Sequence, residues 1–317
     1  MIEALLAFWD GAFGSAYAVW SATLVRATPL LLVGLAVALA FRAGVLNIGA
    51  EGQFALGAVG ASVAALTLSG APSPVVIVAM ILAGALGGGA WATVAAWLRR
   101  RFGVLEVIST IMLNFVAAVF VSWLVRGPLQ EPTRVYPMSE TFATAARWPF
   151  LISGQRLHVG FLVGLSAVVA WWFVLSRTAL GFRVRAIGEG PTAAESAGGI
   201  DAAQLRFRVL IVSGACAGVA GASEVGGVTW ALYEGLSPGY GYTAIAVALL
   251  ARLDPRYLVP SALLFGALEA GGAAMQREAG VPFVLVQVIV ALVLIGVLVL
   301  ARWNDVRRDR RFVTEPT

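Results

Sequence analysis

The stretch Arg26-Ala27-Thr28-Pro29-Leu30-Leu31-Leu32-Val33-Gly34-Leu35-Ala36-Val37-Ala38-Leu39-Ala40-Phe41-Arg42 carries no charge between its two terminal arginines. It is the heart of an apolar run over about 20–41. Coiled as a helix, some 20 apolar residues reach about 30 Å, the thickness of the hydrocarbon layer of a bilayer. Eight further runs follow, at about 49–69, 75–98, 105–125, 158–176, 206–230, 241–251, 257–275 and 282–302. The pattern predicts an all-α polytopic membrane protein with about nine (eight to ten) transmembrane helices, built as one domain over residues 1–317. The seventh run is too short to cross as a straight helix. It follows Gly235-Leu236-Ser237-Pro238-Gly239-Tyr240-Gly241, so a broken or re-entrant element is expected there. Irregular backbone survives at membrane depth only where protein or a watery cavity satisfies it.

Composition agrees. Hydrophobic residues make up 60% of the 317 and charged residues only 12%, with a net charge of +5. Soluble domains run near 45–50% apolar and about 25% charged. All 22 basic residues are arginines. Without lysine there is no phosphate-loop lysine and no Schiff base, so the chain neither hydrolyses nucleotides in the usual way nor carries pyridoxal-type chemistry. One histidine, His158, and one cysteine, Cys216, leave no poly-His or Cys-based metal site and no intrachain disulfide. No catalytic residue and no bound metal or cofactor are expected.

The arginines sit in short loops, which reads as a topology signal rather than a nucleic-acid footprint. With Arg99-Arg100-Arg101 placed in the cytoplasm and sides alternating from there, sixteen arginines fall inside and five outside, Arg26 lying within the first run. That bias puts the C-terminus, with a tail over 303–317, inside. Residues 1–18 are expected as an interfacial helix or a further short span, and no cleaved leader is expected because no basic segment precedes the apolar stretch. Residues 126–157, with Pro128, Pro132, Pro137, Pro149 and Trp148, should form an ordered extracytoplasmic loop. Residues 177–205 should form a cytoplasmic loop containing a short helix, opened by Pro191 and a capping box at Thr192-Ala193-Ala194-Glu195. Gly84 with Gly88, Gly214 with Gly218, and Gly57 with Gly60 should let helices approach closely.

Polar groups inside a span cost at least about 2.5–3.5 kcal/mol when charged, so each needs a reason. Asn47, Glu51 and Gln53 cluster where the second run begins. They either line a pathway or, through a Glu51–Arg42 pair, fix the helix at the interface. Glu106, Ser109, Thr110 and Asn114 recur at spacings of three and four, a polar stripe that faces protein or water. Glu106 suits the helix start, where an acid favours the dipole, and Asn114 lies deeper. Glu224 lies deep in the sixth run. Tyr240 and Tyr242 mark the broken element. Asn47, Glu51, Gln53, Glu106, Asn114, Glu224, Tyr240 and Tyr242 form the candidate pathway set.

Three segments carry a family resemblance. Gly44-Val-Leu-Asn-Ile-Gly-Ala-Glu-Gly-Gln53, Glu106-Val-Ile-Ser-Thr-Ile-Met-Leu-Asn114 and Gly239-Tyr-Gly-Tyr-Thr-Ala-Ile-Ala-Val-Ala-Leu-Leu250 resemble permease subunits of bacterial ATP-binding-cassette (ABC) importers for nucleosides, in the branch that also imports simple sugars and branched-chain amino acids. The loop over Gly181–Ile200 resembles that branch's coupling segment. The resemblance runs from about residue 28 to 300. It implies ABC ATPase subunits that bind ATP-Mg, a second permease subunit, sister or identical, an extracytoplasmic substrate-binding protein and a location in the inner (plasma) membrane. It implies that Arg183, Arg185, Glu189, Ala194, Glu195 and Gly199 couple to the ATPase, and that a small neutral solute crosses by alternating access. A simple-sugar permease is the nearest alternative. Of another class is an ion-coupled secondary transporter working through Glu51, Glu106 or Glu224. A membrane enzyme for lipid-linked substrates lacks its usual side chains, and an ion channel would lack a filter motif.

Overall fold

A computed structural model describes residues 2–282 and isolated positions between 285 and 299. Among the described residues every regular element is helical. A short helix α1 (Ile2–Ala12) precedes α2 (Leu24–Arg42), which grows out of a π-helical turn at Ala18–Thr23. Nearly all of α2 is buried. A helix that is apolar on every side belongs inside a bundle, and α2 is enclosed chiefly by α6, α9, α10 and α11. Then come α3 (Ala50–Thr67), α4 (Ser73–Phe102), α5 (Glu106–Val125) and α6 (Gly160–Arg177). After them run α7 (Ala179–Glu189), α8 (Pro191–Gly198), α9 (Ala202–Glu224, continuing as a π turn to Thr229), α10 (Tyr240–Leu250) and α11 (Pro255–Glu278).

Among the described residues six helices are long and apolar enough to cross a membrane: Ala18–Arg42, Ser73–Phe102, Glu106–Val125, Gly160–Arg177, Ala202–Thr229 and Pro255–Glu278. They take the places expected of six of the nine runs. Helix α3 takes a seventh, although its polar start, Glu51 and Gln53, makes it less apolar. The 11 residues of α10 reach about 16 Å, half a bilayer, as the Gly/Pro stretch before them led us to expect. The run at 282–302 falls almost wholly outside the described residues, and the tail at 303–317 entirely so; the number of spans therefore rests on six full crossings with α3 and α10.

Among the described residues, helices α3, α4 and α9 form the densest packing. Glycines make it possible. A Cβ on Gly218 would run into the backbone of Gly84, and one on Gly57 into the backbone of Gly218. Three helix backbones therefore meet at one level, the close approach that small residues allow in lipid.

At one end of the bundle, residues 126–159 fold down as an ordered cap. Phe142 N donates to Trp230 O (2.8 Å), Ser139 N to Leu232 O (2.7 Å) and Trp148 N to Gly226 O (2.9 Å). The cap's own Trp148 and Phe142 are buried. The Glu131 carboxylate closes a tight turn by accepting from Thr133, Val135 and Tyr136 backbone N–H groups.

At the other, arginine-rich end, the loop after α6 holds two helices where the sequence pointed to one. Thr178 caps α7, its hydroxyl accepting from Gly181 N (3.1 Å). Helix α8 does start at Pro191, but the capping box is absent: its N-cap is Gly190, with no side-chain cap. Proline takes the first helical position, so Thr192 falls inside the first turn, where its hydroxyl cannot cap. Gly199 ends α8 in the left-handed region (φ +57°). Arg206 ties the assembly together, donating to Ala43 O (3.3 Å) after α2 and to Ile187 O (3.2 Å) in α7.

Candidate translocation site

The segment between α9 and α10 comes off the cap level and dips into the bundle. Trp230, Gly235 and Gly239 take positive φ along it, and Gly239 leads directly into α10. The dip brings the N-terminus of α10 against that of α3. A Cβ on Gly241 would run into the backbone of Glu51, so only glycine admits this contact. Two sets of unpaired helix-start N–H groups now face one another, and each needs an acceptor. Glu51 supplies one: its carboxylate accepts from Gly241 N (2.6 Å). Ser237 supplies another, its hydroxyl accepting from Gly239 N (3.1 Å) and Tyr240 N (2.9 Å) and also bonding Glu51. Glu51 thus lies where two helix dipoles point positive ends, rather than beside Arg42.

Asn114 holds the same junction from α5. Its amide oxygen accepts from Gly52 N (2.9 Å), and its amide nitrogen donates to Ile48 O (2.9 Å) and to the Tyr242 hydroxyl (3.2 Å). Above this floor opens a cavity of about 440 Å³, lined by Glu51, Phe54, Asn114, Ser122, Glu234 and Ser237 together with apolar residues of α3 and α5. Tyr240 is buried against Phe54, ring centroids 5.8 Å apart.

At the rim on the cap side, Glu234 straps the dipping segment to α5. Arg126 donates to its carboxylate from Nη2 (2.6 Å) and Nε (3.2 Å). The Arg126 guanidinium, with a lesser contribution from the Ser122 hydroxyl, holds the Glu234 carboxyl below the usual carboxylate range.

The structure therefore brings Glu51, Asn114, Tyr240 and Tyr242 to one place and sets the others elsewhere. Asn47 and Gln53 are fully buried in a closed reciprocal amide pair (2.8 and 3.0 Å), with Asn47 also donating to Ser213 (2.9 Å), which donates to Ala36 O (2.6 Å). They pin the turn between α2 and α3 to α9 and do not line the cavity. Glu106 pairs with Arg99 at the arginine-rich end. Glu224 is buried in α9, within electrostatic reach of Glu269 and Arg26 and away from the cavity. Ser122 and Ser237 were not anticipated. The α5 stripe, continued at spacings of four from Asn114 through Ala118, would have reached Ser122; nothing local announces Ser237.

Among the residues expected to couple, Arg183, Glu189 and Glu195 are exposed on α7 and α8, Arg185 is half-buried, and Ala194 is buried against the bundle. Glu195 shares a second, smaller cavity of about 260 Å³ with Arg99, Arg100 and Arg206.

Residues 19–301 match the family described as the branched-chain amino acid transport system / permease component. The chain belongs to this permease family. The permease is 39% identical to the glucose ABC transporter permease protein TsgB13 of Haloferax volcanii, over 86% of this chain and 74% of that one. It is 35% identical to the guanosine ABC transporter permease protein NupP of Bacillus subtilis, over 92% and 84%. It is 29% identical to the nucleoside ABC transporter permease protein NupB of Lactococcus lactis, over 91% and 81%. It is thus a multi-pass inner-membrane ABC permease of the nucleoside and sugar branch, a transport component and not itself an enzyme. Such permeases work with ATPase and substrate-binding partners.

Proposed function

We propose that this permease moves nucleosides inward across the membrane by alternating access, energised by a separate ATPase subunit that binds ATP-Mg. The observation that carries the reading is the 440 Å³ cavity floored by Glu51 and Asn114 at the meeting of two helix starts. Its size falls in the range of small-molecule sites. Its polar groups are few, and its one deep carboxylate is already engaged by α10. That lining suits a neutral solute with several hydrogen-bonding groups and holds it weakly enough to let it leave. Selectivity then rests mainly on the extracytoplasmic binding protein. The guanosine and nucleoside permeases among the relatives support a nucleoside.

The glucose permease of Haloferax volcanii favours a second reading, a simple-sugar permease. In the first reading α7 and α8 face the cytoplasm and receive the ATPase, the C-terminus lies inside, and a second permease subunit completes the pathway. Movement of α7 and α8 repacks the bundle between two arrangements. An ion-coupled transporter would need a carboxylate free to take up a cation. Of its three candidates, Glu51 caps a helix whose N-terminus repels cations, Glu106 pairs with Arg99, and Glu224 does not line the cavity.

Uptake of labelled guanosine, ribose and glucose is measured in cells lacking the chain and in cells with an inactivated partner ATPase. Loss of guanosine uptake in both is expected. Loss of sugar uptake alone moves the assignment to the sugar reading. Uptake that survives ATPase loss and collapses with an uncoupler overturns both.

A further inference from the structure

A separate basic pocket opens at the arginine-rich end, away from the translocation site. Its volume is about 360 Å³, and Arg42, Trp172, Arg177, Arg185, Asp254 and Arg256 line it. The helix end of α2, the last turns of α6, the middle of α7 and the start of α11 each contribute. Asp254 is committed to Arg256 (2.7 Å). Arg42, Arg177 and Arg185 make no ion pair among the described residues. The recess therefore gathers four guanidinium groups around one carboxylate, Asp254, which pairs with Arg256 and is also within electrostatic reach of Arg42; that excess of positive charge is costly unless an anion offsets it.

The setting selects the anion. Only 22% of the apolar window of α6 is buried, and Val169 and Phe173 stand exposed along it, so this helix borders lipid. Trp172 and the exposed Tyr257 mark the headgroup level, where amphipathic rings settle. Arg177 lies about 7 Å further along the helix axis than Trp172. The positive-inside rule gives this face to the cytoplasmic leaflet, where anionic lipids attract basic recesses between helices. At the rim, Arg252 and Leu253 hold consecutive left-handed conformations (φ +55° and +58°), strain that a non-glycine turn carries mostly at functional places.

We propose that this recess binds the phosphate of an anionic phospholipid, with Arg42, Arg177 and Arg185 holding the headgroup and its acyl chains lying along α6. The site is independent of which solute the permease carries.

The full-length chain, purified in neutral detergent, is titrated with phosphatidylglycerol, with phosphatidylcholine and with inorganic phosphate. Binding is read as retained lipid in native mass spectrometry and as a shift in thermal unfolding. Phosphatidylglycerol is expected to bind and to raise the unfolding temperature, with phosphatidylcholine and phosphate doing neither. Each arginine near an anionic headgroup is worth roughly a fivefold change in affinity, so R42Q/R177Q should bind phosphatidylglycerol about 25-fold more weakly. R42K/R177K, which keeps the charge, should stay within about threefold by the same reasoning. If the double variant fails to fold, R177Q alone, at an exposed helix end, should still lose about fivefold. Equal binding of phosphatidylcholine, or undiminished phosphatidylglycerol binding by R177Q and R42Q/R177Q, overturns the site. Phosphate binding as tight as the lipid overturns the lipid assignment in favour of a free-anion site.

Discussion

Asn114 serves three elements with one amide: the turn before α3, the first turn of α3 and the second residue after the start of α10. Alanine there leaves buried backbone groups unpaired, at about 1–3 kcal/mol each. N114A should lower the unfolding temperature and reduce uptake together. At Glu51 the chemistry separates capping from charge. Glutamine keeps an oxygen that accepts from Gly241 N, so E51Q is expected to transport within a few-fold of wild type. E51A removes the acceptor and should lose about tenfold or more, the effect of about 1–2 kcal/mol at a lost cap. Uptake abolished equally by both substitutions would mean that the charge itself is needed, as in ion coupling. The polarity of both residues could be read from the sequence. That Asn47 turns to Ser213 and Glu51 to α10 could not: those partners lie 166 and 190 residues away, and hydrogen-bond pairing at that separation leaves no local trace.

Elements carry the next set of constraints. The crossing of α3, α4 and α9 leaves no room for a side chain at Gly218. G218V overpacks it at about 1–3 kcal/mol or more, and thermal unfolding in detergent should drop by several degrees or the protein should fail to accumulate. The dipping segment before α10 is strapped at its cap end by Arg126 and Glu234. R126E and E234R should each impair uptake, and the double exchange should recover most of it; no recovery would make the pair incidental. Because Glu234 is held below its ordinary carboxylate range, the strap is fully present above the ordinary value, 4.5, and weakens only as pH falls through the depressed one. Uptake and cap protection in hydrogen exchange should therefore not change through this pair between pH 8 and pH 5. The short α10 and the ordered cap were legible in Gly235–Gly241 and in the prolines and Trp148 of 126–157. The missing capping box shows the limit of motif reading: Thr192 has the right neighbours, but Pro191 already occupies the helix start.

For the molecule as a whole, the proposed coupling surface is α7 with α8, braced on the bundle by Ala194 and Arg206. R185A/E195A should leave ATP hydrolysis of the assembled transporter running while uptake falls, measured side by side in vesicles. Normal uptake would remove the coupling role from these residues. Membership of the permease family, spanning residues 19–301, fits a helical bundle that takes in the half-length α10.

Length, apolar periodicity, arginine placement and the glycine–proline break are local properties, and by themselves they determined that this chain is an all-helical membrane protein with one half-length helix and small-residue helix contacts. Helix formation and burial in lipid answer to composition over windows of about 20 residues, so these features survive without coordinates. Only the tertiary structure decided which polar residues meet. It set Glu51, Asn114 and Ser237 around one cavity, closed Asn47 on Gln53, and drew Arg42, Arg177 and Arg185 into one recess from three separate helices. Such meetings depend on how helices cross and on where a chain reverses inside the bundle, and both are set by packing between residues distant in sequence.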